Sequence, residues 1–263
     1  MCKAFSCIIS KRKKVTWKLA VDSHHELIDM AGYNDNDDCK KFVRIEISPK
    51  NNDYINPDKW ILKVDESERP RWFSPSHEQC CWDAFKLYEK QLYNIVKKGK
   101  KIVHPFNDIK MVRKVSVKHK LILKEWDSVW GSVGGSVMGS VIGSVGCSVW
   151  DSVGVSVWDS VWGSVWSSVS GSVRGSVRGY VGVSVWDSVW VSVEGYISSF
   201  FKLDKWAYIK HKKNINPFQS IINLWEMGLV PSFDGEYWRL HSGKKAKVVF
   251  KIKQSDLKRM KEG

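Results

Sequence analysis

The sequence predicts a β-solenoid, a short-sided β-helix built of tetrapeptide repeats, flanked by small α+β domains. Three observations predict it: an uninterrupted tetrapeptide repeat, a near-invariant valine within that repeat, and ordinary helix and strand patterns on both sides. The chain has 263 residues, of which 43% are hydrophobic and 27% charged, so most of it is expected to fold. We expect three domains, at residues 1–125, 126–199 and 200–263.

The repeat runs over residues 128–199 as eighteen consecutive tetrapeptides without an insertion or deletion. Serine holds the first position except at Tyr180 and Tyr196, and valine holds the second except at Ile197. Thirteen glycines argue against an α-helix, because each interior glycine costs about 1 kcal/mol relative to alanine. A long meander is excluded as well, since no Pro, Asn-Gly or Asp-Gly turn interrupts the register.

In the predicted solenoid each tetrapeptide makes one wall and one corner, and successive coils stack about 4.8 Å apart. Valine is expected to fill the interior, because its position is always apolar and of nearly constant size. The third position holds residues as different as Trp, Gly, Arg and Glu, so it is expected to face solvent. The sequence does not decide between three and four walls. We prefer four by architectural analogy with pentapeptide-repeat proteins.

The flanks show patterns of ordinary α+β sequence and are expected to cap the solenoid. An open coil would expose unpaired backbone groups and apolar valine, so its ends need a cover. Strands are predicted at 3–10, 15–19, 42–48, 60–64, within 111–124, and in a hairpin of 237–240 and 247–253. Helices are predicted at 24–31, 77–97, 217–227 and from 255.

Tryptophans in the outward-facing third position form the first candidate site. Large exposed apolar patches mark interaction sites, and Trp is enriched among interface anchors. The alternative is that neighbouring indoles stack on one another, or lie beneath the flanks, and only stiffen the rod. Two arginines in the same position would add cation–π or anion contacts, or form a solvated pair. The predicted partner-binding residues are Trp130, Trp150, Trp158, Trp162, Trp166, Trp186, Trp190, Arg174 and Arg178.

Basic residues concentrate outside the repeat and form the second candidate site. The chain has a net charge of +14, whereas the repeat carries two arginines and four acidic residues. Strand alternation would place two sets of flanking lysines each on one face, an electrostatic footprint for nucleic acid. A surface that only keeps the protein in solution is the alternative. The predicted anion-binding residues are Lys114, Lys118, Lys120, Lys124, Lys247, Lys251 and Lys253.

The sequence predicts no catalytic constellation, no metal site and no cofactor. Ser23 and Glu26 have the spacing of a capping box, which would place His24 in an exposed first turn, and a similar pattern surrounds His77. None of the six cysteines forms a C-x-x-C pair. An enzyme with a site in a flank, near these histidines or residues 239–241, is the lowest-ranked hypothesis.

Nearly the whole chain resembles uncharacterised proteins found in phages, prophages and gut-virus sequences. The resemblance rests on the SVWD/SVWG/SVRG tandem, on CKAFSCIIS and KFVRIEISPKNNDYINPDKWILKVDE before it, and on YISSFFKLDKWAYIKH and PFQSIINLWEMGLVPSFDGEYWRLHSG after it. It implies a virus-encoded protein that acts in the cytoplasm of an infected bacterial host. It transfers no activity and no catalytic residue.

The sequence therefore favours a non-enzymatic interaction protein whose Trp-rich solenoid surface binds a host macromolecule, either a protein or a nucleic acid. A nucleic-acid-binding protein that uses the basic flanks is the first alternative, and an enzyme is the second. No membrane partner is expected, because no apolar run approaches the roughly 18 residues of a membrane span. Exposed indoles and stackable coil ends favour self-association.

Overall fold

A computed structural model describes residues 5–49, 59–173 and 181–260 and has a mixed α/β fold with two small antiparallel sheets. The described part of the repeat is helical, so the predicted β-solenoid is wrong. The chain forms two compact units, each held together by contacts among its own residues. Unit 1 is residues 1–100 with 141–156, and unit 2 is residues 101–140 with 157–263. Each unit takes in part of the repeat, and the division after residues 125 and 199 stays a prediction.

Five α-helices cover the described part of the repeat and the residues just before it. They are α3 Val117–Val129, α4 Val133–Val145, α5 Cys147–Val157, α6 Gly163–Val173 and α7 Val181–Ile197. Short 3₁₀ turns lie at Trp130–Ser132 and Ser198–Phe200, and one π-helical turn lies at Trp158–Trp162.

The repeated valines form the buried face of these helices. Residues four apart lie nearly above one another on a helix, so valine at every fourth position makes one apolar stripe. The second-position valines from Val133 to Val173 and from Val185 to Val193 are between 0% and 6% exposed. Valine is therefore buried as expected, but on helix faces and not in the lumen of a coil.

Serine and glycine are compatible with these helices for separate reasons. The Ser192 hydroxyl donates to the Ser188 carbonyl at 2.7 Å, so the side chain is satisfied inside its own helix. Gly195 lets α7 approach a neighbour closely, since a β-carbon there would lie 2.6 Å from Ile221 Cγ2. Burial of the valine stripe outweighs the low helix propensity of glycine, serine and valine. The predicted solenoid is wrong because it was based on that low propensity.

A four-residue repeat does not match the α-helical turn, so a long straight α-helix could not keep the valines on one side. With 3.6 residues per turn, the valine stripe moves about 40° around a straight helix with each repeat. Gly146, at φ +90°, ends α4 before this drift accumulates, and a β-carbon there would lie 3.0 Å from Ala20 Cα. The π-helical turn at Trp158–Trp162 holds more residues per turn, which shifts the stripe back.

Unit 1 is built on a four-stranded sheet in the order β2-β1-β3-β4. Leu27 and Ile28 of the first helix pack against Ile8 and Phe42 on one face of the sheet. The second helix covers the opposite face, where Tyr88 contacts Phe5 with ring centroids 4.9 Å apart. The elements are β1 Phe5–Ser10, β2 Val15–Thr16, α1 His24–Ala31, β3 Phe42–Pro49, β4 Trp60–Val64 and α2 Pro75–Ile95.

Unit 2 places a three-stranded sheet, in the order β5-β6-β7, beside α3 and α7. Asp127 of α3 joins them: its buried carboxylate accepts hydrogen bonds from the Trp238 indole at 2.8 Å and from the Gln254 amide. The remaining elements are α8 Gln219–Glu226, β5 Val230–Phe233, β6 Tyr237–Ser242, β7 Lys247–Lys253 and α9 Gln254–Arg259.

The flanking elements match their predictions closely in all but three places. The strand predicted at 15–19 is only the two-residue β2, Val15–Thr16. The strands predicted within 111–124 are wrong, because α3 begins at Val117 with Ser116 as its N-cap. Strand β5 was not predicted, since its buried pattern spans only four residues. In the part of the chain that the structure describes, no helix has the length and apolar character needed to cross a bilayer.

The valine stripe predicts a clear contrast between two valines of α5. Val157 is 0% exposed and belongs to the stripe, whereas Val155 holds the fourth position and is 47% exposed. We expect Val157→Ala to lower the free energy of unfolding by about 2 kcal/mol, because it leaves a cavity. Val155→Ala should change it by no more than about 0.5 kcal/mol. Urea unfolding measures both, and equal losses would contradict the assignment of the buried face.

Candidate nucleic-acid interface

The segment before α3 and α3 itself lie along the β6–β7 hairpin. The Val112 amide donates to the Ser242 hydroxyl at 2.9 Å. A β-carbon on Gly243 would lie 2.9 Å from Met111 Cγ, so the hairpin turn rests directly on this segment. These contacts join two stretches that are more than a hundred residues apart in the sequence.

Basic residues adjoin these contacts in both stretches, and together we call them the α3–hairpin basic surface. On the α3 side, the Lys120 ammonium lies 5.1 Å from the Phe250 ring centroid, and the Lys124 ammonium donates to the Met260 carbonyl. Neither contact neutralises the cation. The members of the surface are Arg113, Lys114, Lys120, Lys124, Lys244, Lys245 and Lys247.

Lys118 lies outside this surface because α3 is a helix. Residues two apart point to different sides of a helix, whereas Lys120 and Lys124, one turn apart, share a side. The strand alternation that predicted a common face for the four lysines between 114 and 124 therefore does not apply. Lys118 still adds to the local positive potential: burial lowers the pKa of His119, and the Lys118 cation lowers it further.

The three lysines of β7 are divided between two faces by a bulge. The register shifts between Leu240 and His241, which places Lys247 on the Phe250 face, toward α3. Lys251 and Lys253 lie on the other face. There the Lys251 ammonium is 4.1 Å from the Tyr237 ring centroid, and Lys253 pairs with a glutamate. Anion binding by these lysines stays a prediction.

Most of the predicted partner-binding tryptophans pack on one another. Trp158 and Trp190 have ring centroids 3.9 Å apart, and Trp186 stacks on Trp190 at 4.9 Å. Trp162 lies at the centre of the cluster and also contacts Trp166 at 6.0 Å. The indoles therefore join the π-helical turn and α6 to α7, which is the stacked arrangement given above as the alternative to an open aromatic surface.

The other two tryptophans are also engaged with neighbours. Trp130 packs edge-on against Phe233 and Trp238, and Trp150 lies over Gly154. Of the seven, Trp186 is the most exposed, at 37%. Arg174 and Arg178 lie outside the described residues.

A serine–histidine pair in unit 2 resembles catalytic geometry but is fully enclosed. The His241 Nδ1 donates to the Ala246 carbonyl at 2.9 Å, so the Ser232 hydroxyl donates to Nε2 at 2.7 Å. Both residues are 0% exposed, and burial lowers the pKa of His241 to about 4. A substrate could not reach either side chain, because neither has an exposed atom. The pair instead links β5 to the β6–β7 hairpin.

His77, another candidate of the enzyme hypothesis, caps α2. Its Nδ1 accepts from the Ser74 amide at 3.2 Å, and its Nε2 donates to the Lys11 carbonyl at 3.3 Å. The helix begins two residues earlier than predicted, so the N-cap is Ser74. These contacts account for both ring nitrogens.

Comparison with known proteins gives no relative: no protein-family model, no curated protein and no solved structure matches the chain. The resemblance to phage and prophage proteins therefore stays a prediction from the sequence.

The depressed pKa of His241 predicts a loss of stability in mild acid. The unfolded chain, with a histidine pKa of about 6.5, binds more protons than the folded chain between pH 6.5 and 4. Stability contributed by the neutral imidazole is therefore lost as the pH falls through this window, by about 3 kcal/mol in total.

Urea unfolding at pH 7 and pH 4 measures this loss. We expect the wild type to lose about 3 kcal/mol more than His241→Gln, because the variant has no group to protonate there. His25→Gln, which changes an exposed histidine, should keep the wild-type dependence. Equal losses in the wild type and His241→Gln would contradict the buried neutral imidazole.

Proposed function

We propose that this protein is a non-enzymatic nucleic-acid-binding protein that contacts the phosphate backbone through the α3–hairpin basic surface. One observation carries the proposal: the segment before α3 contacts the hairpin turn, so basic residues of 113–124 and of 244–247 flank the same contact, although the two stretches are distant in the sequence. The net charge of +14 supports it, because a basic patch on a basic protein attracts polyanions over long range.

The chemistry of the surface favours contacts with phosphates over contacts with bases. Six of its seven cations are lysines, which act as point charges on flexible stems. Reading a base edge commonly uses the planar fork of arginine or the amide of asparagine or glutamine. We therefore expect binding that depends little on sequence and strongly on salt.

The basic surface is a better candidate than the tryptophans. The indoles of the cluster pack on one another, whereas five of the seven cations are exposed: Arg113, Lys114, Lys244, Lys245 and Lys247. An origin in a phage or prophage and a place in the host cytoplasm remain part of the proposal. Free thiols support a reducing compartment, and they are Cys7, Cys39, Cys80, Cys81 and Cys147.

Fluorescence anisotropy with labelled DNA and RNA oligonucleotides tests this function. We expect wild-type binding that weakens steeply as salt rises, with similar affinity for unrelated sequences. Replacing Lys114, Lys244 and Lys247 with Gln should lower affinity at least about tenfold. The slope of log affinity against log salt should fall by about 2 to 3, since each lost phosphate contact removes about 0.9.

A triple variant of equal charge is the matched control. Lys40, Lys86 and Lys90 are exposed in unit 1, and replacing them with Gln should leave the slope within about 0.5 of wild type. Equal effects of the two triple variants would mean that binding depends only on the net charge of the protein, and would overturn the assigned surface. Binding to anionic lipid vesicles without binding to either nucleic acid would overturn the proposed function.

A further inference from the structure

An imidazole and two carboxylates meet on the face of the unit 1 sheet that α1 covers. His24 begins α1, Glu46 lies on β3, and Asp65 directly follows β4. One ligand atom from each residue lies within 4.8 Å of the others. We propose that these three side chains bind a divalent transition-metal ion, of the kind represented by Zn²⁺ and Mn²⁺.

Backbone contacts fix the three residues in place. The Asp65 amide donates to the Arg44 carbonyl at 2.9 Å, which extends the pairing of β4 with β3 by one residue. The Ser23 side chain accepts from the Glu26 amide, so the Ser23 half of the predicted capping box is confirmed. His24, however, is 8% exposed and does not lie in an exposed turn. A site carried by a sheet and a capped helix is held more rigidly than one on loops.

One nitrogen of the imidazole faces a carboxylate. The His24 Nε2 lies 3.2 Å from the Ile45 carbonyl oxygen, and a carbonyl only accepts, so Nε2 carries the proton. In the neutral ring, Nδ1 is then the unprotonated nitrogen, and it lies 3.4 Å from Asp65 Oδ2. Histidine ligands commonly donate their second ring N–H to a backbone carbonyl in this way, which fixes the ring and its tautomer.

The one distance given between two of the ligand atoms suits a small cation. Zinc lies about 2.0–2.1 Å from nitrogen and oxygen ligands, which places tetrahedral ligands about 3.3 Å apart. The 3.4 Å between His24 Nδ1 and Asp65 Oδ2 matches that edge. One nitrogen and two carboxylates form a mixed donor set suited to Zn²⁺ or Mn²⁺, and a fourth position remains for water.

A buried hydroxyl beside the cluster provides a second observation. Ser6 lies directly across from Glu46 in the pairing of β1 with β3, so both side chains are on the same face of the sheet. The residue is 2% exposed, and its hydroxyl has no hydrogen-bond partner among the described protein atoms. A buried hydroxyl of this kind calls for a further polar group, such as a metal-bound water.

A second set of possible ligands nearby is already neutralised within the protein. Asp38, Cys39 and Glu66 also lie close together, but the Arg44 guanidinium pairs with Glu66 at 3.0 Å and with Asp38 at 3.1 Å. Burial, together with the Asp38 charge, raises the pKa of Cys39 to about 11, so its thiol stays protonated at neutral pH. A metal ion there would have to displace the guanidinium.

The alternative for the proposed site is a metal-free ion pair between protonated His24 and Asp65. Isothermal titration of chelator-treated, full-length protein with Zn²⁺, and separately with Mn²⁺, distinguishes the two. We expect one site per chain, with affinity lowered at least about tenfold in His24→Gln, Glu46→Gln and Asp65→Asn. His25→Gln and Cys39→Ser are the matched controls and should leave this site unchanged.

A measurement on the wild type covers the case in which a variant fails to fold. Crystals soaked in Zn²⁺ should give an anomalous peak at the zinc edge between His24 Nδ1, Glu46 and Asp65. Zn²⁺ bound only at thiols or exposed histidines, or titrations unaffected by all three ligand substitutions, would overturn the proposal. The oligonucleotide assay is independent of this site, so each proposal can fail alone.

Discussion

Burial of one valine in every four residues is the constraint on which the repeat depends. On a helix this spacing makes an apolar stripe that drifts with each turn, so a long straight α-helix could not keep the valines buried on one side. Gly146 provides one break and the π-helical turn at Trp158–Trp162 provides another phase shift. The third position lies off this stripe and is not restricted to valine, and Trp, Gly, Met and Glu all occur there.

The two proposed sites use parts of the chain that the repeat does not supply. The basic surface depends on Asp127, whose buried carboxylate holds the hairpin and α9 on α3. The metal site depends on the pairing of β3 with β4 and on the cap of α1. At each proposed site, hydrogen bonds within the fold position the elements that carry the charged side chains. Function is therefore assigned to the α+β parts, and the indole cluster to packing.

Local signals predicted the flanks well and the repeat badly. Helix α1 and strand β4 match their predicted bounds because a Ser cap and simple alternation are readable within a few residues. The repeat was misassigned because period four fits both a solenoid wall and a helix stripe, and the glycine count favoured the wrong one. The sequence alone was enough to name the lysines at 114–124 and Lys247 as individual candidates for anion binding. Their common surface was not identifiable, and neither was the cluster of His24, Glu46 and Asp65, because only the folded chain brings these residues together.

Backbone NMR of the full chain tests the valine-stripe account most directly. The Cα secondary shifts over Val133–Val145 and Gly163–Val173 should be helical, with slow amide exchange throughout both segments. Extended-strand shifts over these residues would contradict the account.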